Sequence, residues 1–537
     1  MTVQDSADRS AVRDSHAFHA RLERPGDFIR REWKTLAVSG LAFAGLLLGA
    51  LFMLDPSFFY PRVETDQLLY LLKAKSLVED GTTAAQATVN GTPFPYASMP
   101  GILRAPFLVL FDDFDAQLRG IQILNIAIAT ASGFMSGYMI SWALPRQAHR
   151  IAIAFPFAFM ILSPNWITNI FVPLADAPYA ALTQGCIILS AMMLTSAKPL
   201  GLQKRAMALF AALFTIAFFV RFTAPVLLVH AAILAIPGWK RQRNGRMRWL
   251  IPLVVVAATA AFAVLAADTI IGRYVSDIVV WSRNVAPGNA AAYFLVAVIP
   301  SQIVPGFGLG FEVSPISVWR APVLMSTHRD VVWSLLGMGI SAVVIGGLVA
   351  SRRRILPEIA MLCVVSPLLA LIASSSVRYM MSYQPILWFA FAVACLPAAR
   401  FARRHVSRTA LRLTGAASIT VLAAALVILR SARTAETAGH RAILSLAVRG
   451  RAYVNDVETT FTALRHFLEA EPRDSTLLVG GYGDVGRFKV IANRDYYRPD
   501  SALPQVSEAK RVYAVLACAT ASTCAERLMA RCPASCQ

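Results

Sequence analysis

Ionisable residues gather at the ends of apolar runs in this sequence, and their types limit the chemistry they can do. The stretch ETDQLLYLLKAKSLVEDG (64–81) begins with Glu64 and Asp66 and follows closely on the first long apolar run. PLADAPYAAL (173–182) places Asp176 at the head of another run, VRFT (220–223) closes a third with Arg221, and VRYMMSYQP (377–385) sets Arg378 and Tyr379 at the start of a late one. Carboxylates there either cap a helix by accepting from its free N–H groups or act as general bases toward a hydroxyl. Arginines either snorkel to lipid headgroups or grip phosphate oxygens in pairs. Ionisable groups near a bilayer core are costly, which makes each of these a candidate site residue.

The elements that must position them are set by composition. Of 537 residues, 56% are hydrophobic and only 15% charged, against about 25% charged in soluble proteins. With a mean hydropathy of +0.55, this is the composition of a polytopic membrane protein. Runs long enough to cross a bilayer, roughly 17–25 residues, fall at 35–54, 117–143, 150–166, 174–195, 205–222, 223–237, 249–267, 330–350, 355–375, 379–398 and 411–430. The pair 205–222 and 223–237 hinges near Arg221 to Pro225, because proline breaks or bends a helix. A shorter apolar piece, 291–304, ends at Pro305 and reads as re-entrant or interfacial.

The net charge of +20 is spread through short connections rather than gathered in one patch, so no nucleic-acid partner is expected. Alternate connections collect the basic clusters: Arg24 to Lys34, Arg146 and Arg150, Lys198 to Arg205, KRQRNGRMR at 240–248, SRRR at 351–354, and Arg400 to Arg412. The positive-inside rule makes that side cytoplasmic. Residues 1–34 are then a cytoplasmic tail, 35–430 the membrane domain with outer loops 55–116 and 268–329, and 431–537 an extracytoplasmic segment. That segment predicts a helix at 455–470 and strands at TLLVGG (476–481) and RVYAVLA (511–517), enough for a small α/β domain. Its Cys518, Cys524, Cys532 and Cys536 predict one or two disulfides, with unpaired thiols or a metal site as alternatives. GGYGDVG (480–486) lacks the spacing of a dinucleotide loop and reads as a turn. The expected fold is mostly α: a membrane bundle of about eleven helices with a small C-terminal α/β domain.

Within the first outer loop, the leucines of 66–81 interleave with charges, which predicts an amphipathic helix lying on the membrane. Glu64 reads as its cap. Asp112, Asp113 and Asp115 precede the second span and read as helix capping ahead of a cation site. Asp66 stands four residues before Tyr70 and eight before Ala74, and the loop continues through Tyr96, Pro100-Gly101 and Ala105-Pro106-Phe107. This order, with Asp176 before a small-Pro pair and Arg378-Tyr379 at a late span, resembles the GT-C superfamily of polytopic glycosyltransferases. The nearest patterns are those of the protein O-mannosyltransferases and lipid A aminoarabinose transferases, over roughly 35–400. The sequence departs from the pattern at Gln67, where the family often has a second acid, and it has no Asp-x-Asp pair in the second outer loop.

The resemblance implies a bacterial inner-membrane enzyme that moves a sugar from a polyprenyl-phosphate donor to a lipid, glycan or protein hydroxyl outside the cytoplasm. Such a transfer needs one base for the acceptor and positive charge on the leaving phosphate. Asp66 is the candidate base, and Arg378 and Arg221 the candidate phosphate clamps. Arg104, His328 and Arg329 are further phosphate candidates, with Tyr70, Tyr379 and Asp176 orienting. No resident cofactor is called for, no metal ligands are assigned, and a divalent cation is left open. The rival readings are a transporter or flippase of lipid-linked sugars, which would show repeated halves and broken mid-membrane helices, and an O-antigen polymerase or ligase, which would rely on Arg320, His328 and Arg329. A receptor or anchor for the exported segment would have no need of polar outer loops.

Overall fold

The computed structural model describes residues 25–54, 56–59, 66–81, 88–89, 92–93, 99–172, 174–195, 200–221, 227, 294–305, 328–350, 377–405, 476–480, 496–497 and 511–515. The runs at 249–267, 355–375 and 411–430, the helix at 455–470 and the four C-terminal cysteines lie outside the described residues, as do Glu64 and Tyr96.

The described residues are mostly helical. α1 (Pro25–Met53) buries Phe28, Leu36, Phe43 and Leu47 on one side and leaves Ile29, Trp33, Val38 and Leu41 exposed on the other. A helix apolar all round needs lipid or protein on every face. The first loop then contributes α2 (Asp66–Asp80), a short antiparallel pair, β1 (Thr88–Val89) and β2 (Thr92–Pro93), and α3 (Met99–Leu110). α4 (Phe114–Ser141) follows and, like α1, is long and apolar enough to cross a membrane. Asp113 caps α4, accepting from Ala116 N–H at 3.1 Å. Capping therefore accounts for that acid.

α5 (His149–Leu162) ends where the run expected as one span, 150–166, is cut. Ser163 is extended, at φ −88° and ψ 118°, and Pro164 begins α6 (Pro164–Phe171). The residue before a proline is pushed out of the helical region, and proline itself fits a first turn. Two side chains of α4 then reach the end of α6: Gln122 donates to Phe171 O at 2.7 Å and Asn125 to Ile170 O at 3.2 Å. They satisfy carbonyls that a helix end leaves free.

α7 (Asp176–Thr195) and α8 (Leu200–Val220) form an antiparallel pair, and α8 ends just before Arg221, while Pro225 lies outside the described residues. The apolar piece near 291–304 begins as a single π-turn, Phe294–Val298, and continues as α9 (Ile299–Ile303). It packs against α10 (His328–Ala350) and, through α9, against α11 (Gln384–His405). A 3₁₀ turn, Val377–Ser382, precedes α11. α4 is the hub of this bundle, since α1, α3, α5, α6, α7 and α11 all pack against it. Towards the C-terminus, β3 (Thr476–Gly480) pairs in parallel with β4 (Tyr496–Tyr497) and β5 (Arg511–Val515), in the order β4-β3-β5. β3 and β5 overlie the two β-like runs read from the sequence.

Candidate functional site

The two helices of the first loop, α2 and α3, pack tightly on each other. Gly81, at φ +67°, ends α2 in the left-handed conformation that favours glycine. Pro100-Gly101 makes the seam close. A Cβ on Gly101 would lie 2.9 Å from the Cβ of Lys73 and 3.1 Å from Ala74 N, so only hydrogen fits between the backbones. On its other side, Phe107 of the Ala105-Pro106-Phe107 motif sits against Gly120 of α4.

α2 differs from the amphipathic surface helix expected from its sequence. Residues 70–75 and Ser76 are all buried or nearly so, including Lys73 at 3% exposure and Lys75 at 9%. The interleaved charges do not form a solvated stripe, because α3 covers the face that would have carried one. Lys75 pairs with Glu79 at 3.4 Å, one turn on. Asp66 is the first residue of the helix, a position where free N–H groups and the helix dipole favour negative charge.

Arg104 lies deepest on this seam, at 2% exposure. Its guanidinium carbon stands 5.3 Å from the centre of the Tyr70 ring, within cation–π range. One Nη donates to Pro100 O, and the other donates to Leu174 O at 2.8 Å, which ties α3 to the segment entering α7. No carboxylate comes within ion-pair distance of it among the described side chains, and its Nε has no hydrogen-bond partner there. Burial draws its pKa down to about 10, with Tyr70 pulling the other way, so it remains a cation at neutral pH. Burial likewise lowers the Lys73 amine to about 8.

Two residues beyond Leu174, Asp176 opens α7 and pairs with Arg221 at the end of α8. They are 3% and 4% exposed in their side chains. Asp176 therefore does more than cap, and Arg221 does not snorkel: each is the other's buried counter-ion. Tyr70, Ala175, Tyr179, Phe214 and Val220 form one apolar cluster that holds α2, α7 and α8 together around these charges. The 3₁₀ turn carrying Arg378 and Tyr379 packs against α7. It is braced by Asn169, which donates to Met381 Sδ at 3.4 Å, and by Trp166 Nε1, which donates to Gln384 Oε1 at 2.6 Å.

The elements bearing Asp66, Tyr70, Arg104, Asp176, Arg221, Arg378 and Tyr379 thus converge. His328 and Arg329 begin α10, whose main packing is against α11 and the Phe294–Ile303 segment rather than against α2 or α3. Sequence reading passed over Lys73. Its signal was a position three residues after Tyr70, on the same helical face.

The fold and site define a helical, largely apolar bundle with a buried and partly unmatched cationic cluster at one corner. The chain is similar in structure to ArnT, a lipid A aminoarabinose transferase, of Cupriavidus metallidurans. The ArnT crystal structure bound to undecaprenyl phosphate aligns at a TM-score of 0.49 and 12% identity over 88% of this chain and 89% of that one. The apo structure aligns at 0.46 and 14% over 87% and 88%. No family model and no curated protein sequence matches the chain.

Proposed function

We propose that the chain is an inverting membrane glycosyltransferase that moves a sugar from a polyprenyl-phosphate donor to a hydroxyl of a lipid, a cell-envelope glycan or a protein. The site lies on the extracytoplasmic side of the inner membrane, with residues 1–34 in the cytoplasm and 431–537 outside. The observation that carries the reading is Arg104. Among the described side chains no carboxylate meets it; a buried guanidinium so placed is expensive unless an anion matches it, and its fork suits phosphate oxygens.

In this scheme Asp66 takes the proton of the acceptor hydroxyl while its oxygen attacks the anomeric carbon from the face opposite the phosphate. The bond from that carbon to the phosphate oxygen breaks, its electron pair leaves with polyprenyl phosphate, and the configuration inverts. Arg104 holds the phosphate from the α2–α3 seam. Arg378 reaches it from the turn against α7, and Arg221 is oriented beside it by Asp176. Tyr70 stacks on Arg104 and fixes its direction, and Tyr379 lines the same turn. His328 and Arg329, at the start of α10, have no part in the scheme. Phosphate is a good leaving group, so one carboxylate suffices where glycoside hydrolases use two.

The test is incubation of the purified protein with a panel of polyprenyl-phosphate sugars, with and without chelator. Wild type releases polyprenyl phosphate. Asp66→Asn, folded to the same melting temperature, does so about 10²- to 10⁴-fold more slowly. Retention of most of the turnover in Asp66→Asn removes Asp66 as the base, and movement of intact donor across vesicles without release makes the protein a transporter.

A further inference from the structure

The charged end of α1 takes no part in the proposed reaction, yet it forms a cationic patch where a helix leaves the bilayer. α1 has 29 residues, a length of about 43 Å against a hydrocarbon core of about 30 Å. All of its ionisable residues lie before Thr35, and from Thr35 to Met53 it has none. Residues 25–34 therefore stand in the headgroup layer while the rest crosses the apolar core.

The α4–α5 turn stands at the same level. Phe28 packs edge-on to Tyr138 with 5.1 Å between ring centres, and Arg31 Nη2 lies 2.7 Å from His149 Nδ1. Arg30 and Lys34 flank Arg31 within one turn of α1, and Arg146 and Arg150 flank His149 just as closely, so four exposed cations border one corner. Inside it, Arg31 pairs with Glu32. None of the four outer cations meets a carboxylate within ion-pair distance among the described side chains. With Arg31, five cations share the corner with two acids, Asp27 and Glu32, so its described part carries a net charge of +3.

The apolar side chains beside these charges suit a lipid. Ile29, Trp33 and Ile151 are each more than half exposed, Lys34 Nζ stands 5.8 Å from the Trp33 ring centre, and exposed Val38 and Leu41 continue the surface toward the bilayer core. Indole rings settle at the headgroup level. Lysine and arginine stems lie along apolar surface with their charge among the headgroups, and each such cation near an anionic leaflet adds to binding. A soluble protein or nucleic acid would meet the charges but not the apolar side chains that lie within the bilayer.

We propose that the corner formed by the start of α1 and the α4–α5 turn is a docking site for an anionic phospholipid, whose phosphate sits among Arg30, Lys34, Arg146 and Arg150 and whose acyl chains run beside Trp33 along Val38 and Leu41. Such a site requires only that the chain span a membrane, and it stands whether or not the protein is a transferase.

The test places the full chain in phosphatidylcholine bilayers that contain a small fraction of brominated phosphatidylglycerol or of brominated phosphatidylcholine. Bromine quenches tryptophan on contact, and the signal of Trp33 is the difference made by Trp33→Phe in each background. Trp33 of wild type takes phosphatidylglycerol over phosphatidylcholine about five- to tenfold. Arg30→Gln with Lys34→Gln, and separately Arg146→Gln with Arg150→Gln, each bring that ratio to within about twofold of unity. Lys204→Gln with Arg205→Gln, which removes the cations at the start of α8, leaves it unchanged. Equal quenching by the two lipids in wild type overturns the site, and so does a preference that survives both paired variants. An equal loss in the α8 variant makes the preference a property of the whole basic surface and overturns the site as well. If a paired variant does not insert, the wild-type ratio at 1 M salt decides, since the screening length there is about 3 Å, and an undiminished preference overturns the assignment.

Discussion

At the start of α1, Arg31 is held by groups that match it; at the α2–α3 seam, Arg104 is not. Arg31 Nε donates to Glu32 Oε1 at 2.9 Å, and its Nη2 approaches His149 Nδ1 at 2.7 Å. His149 is then a neutral ring that accepts at Nδ1 and donates from Nε2 to Leu144 O at 3.2 Å. One cation, one anion and one neutral ring close on themselves and staple α1 to the α4–α5 turn. At the other corner Lys73, Arg104 and Arg221 are buried, and the carboxylate paired there among the described side chains is Asp176. The first arrangement is complete without a ligand. In the second, Arg104 meets no carboxylate among the described side chains, and low-dielectric surroundings make its charge both costly to the empty fold and effective on a bound anion.

Mutations that unbalance each corner test the contrast. Asp176→Asn removes the counter-ion of Arg221 and costs about 3–5 kcal/mol of stability. The double variant with Arg221→Met loses less than Asp176→Asn alone, as chemical denaturation in detergent shows. Arg104→Met lowers affinity for polyprenyl phosphate by the equivalent of about 2–5 kcal/mol while raising the melting temperature. His149→Ala lowers the melting temperature and leaves turnover unchanged. If Arg104→Met and His149→Ala both destabilise, the two corners are alike and the contrast is gone. Gly101→Ala forces α2 from α3 and costs about 1–3 kcal/mol, read as a lower melting temperature with a parallel loss of turnover.

The smallest effect is on pH dependence. The amine of Lys73 titrates near 8 in the folded chain and at its ordinary 10.5 when unfolded. Between those values the unfolded state binds more protons, so stability rises with pH from about 8 to 10.5. Lys73→Met lacks the rise, and stability profiles of the two proteins that superimpose remove Lys73 from it.

Much of this was legible in the chain. The end of α8 near Arg221, the helix beginning at Asp66 and ending at Gly81, the cap at Asp113 and the β-like runs at 476 and 511 follow from glycine, acid and β-branched residue placement, which act on the local backbone. The family motifs also singled out Tyr70 and Asp176, whose helices share one apolar cluster through Tyr70 and Tyr179. The burial of Arg104 against Tyr70 was not a local matter. Nor was the burial of α2, since its alternation of leucine and lysine suits a membrane surface as well as a packed seam.

The sequence by itself determined which segments are apolar and which acids and arginines stand near their ends, because composition, period and turn chemistry are properties of neighbours along the chain; it did not show that Met99–Leu110, with its prolines and glycine, forms a helix, nor that the run 150–166 breaks at Ser163. Only the tertiary structure decided which charges meet. Asp176 and Arg221 are far apart in sequence and become counter-ions because α7 and α8 pack antiparallel. Lys73 and Arg104 become a buried, cationic seam because Gly101 lets α3 lie directly on α2. The worth of a charge depends on what surrounds it, and in this protein those surroundings come from distant parts of the chain.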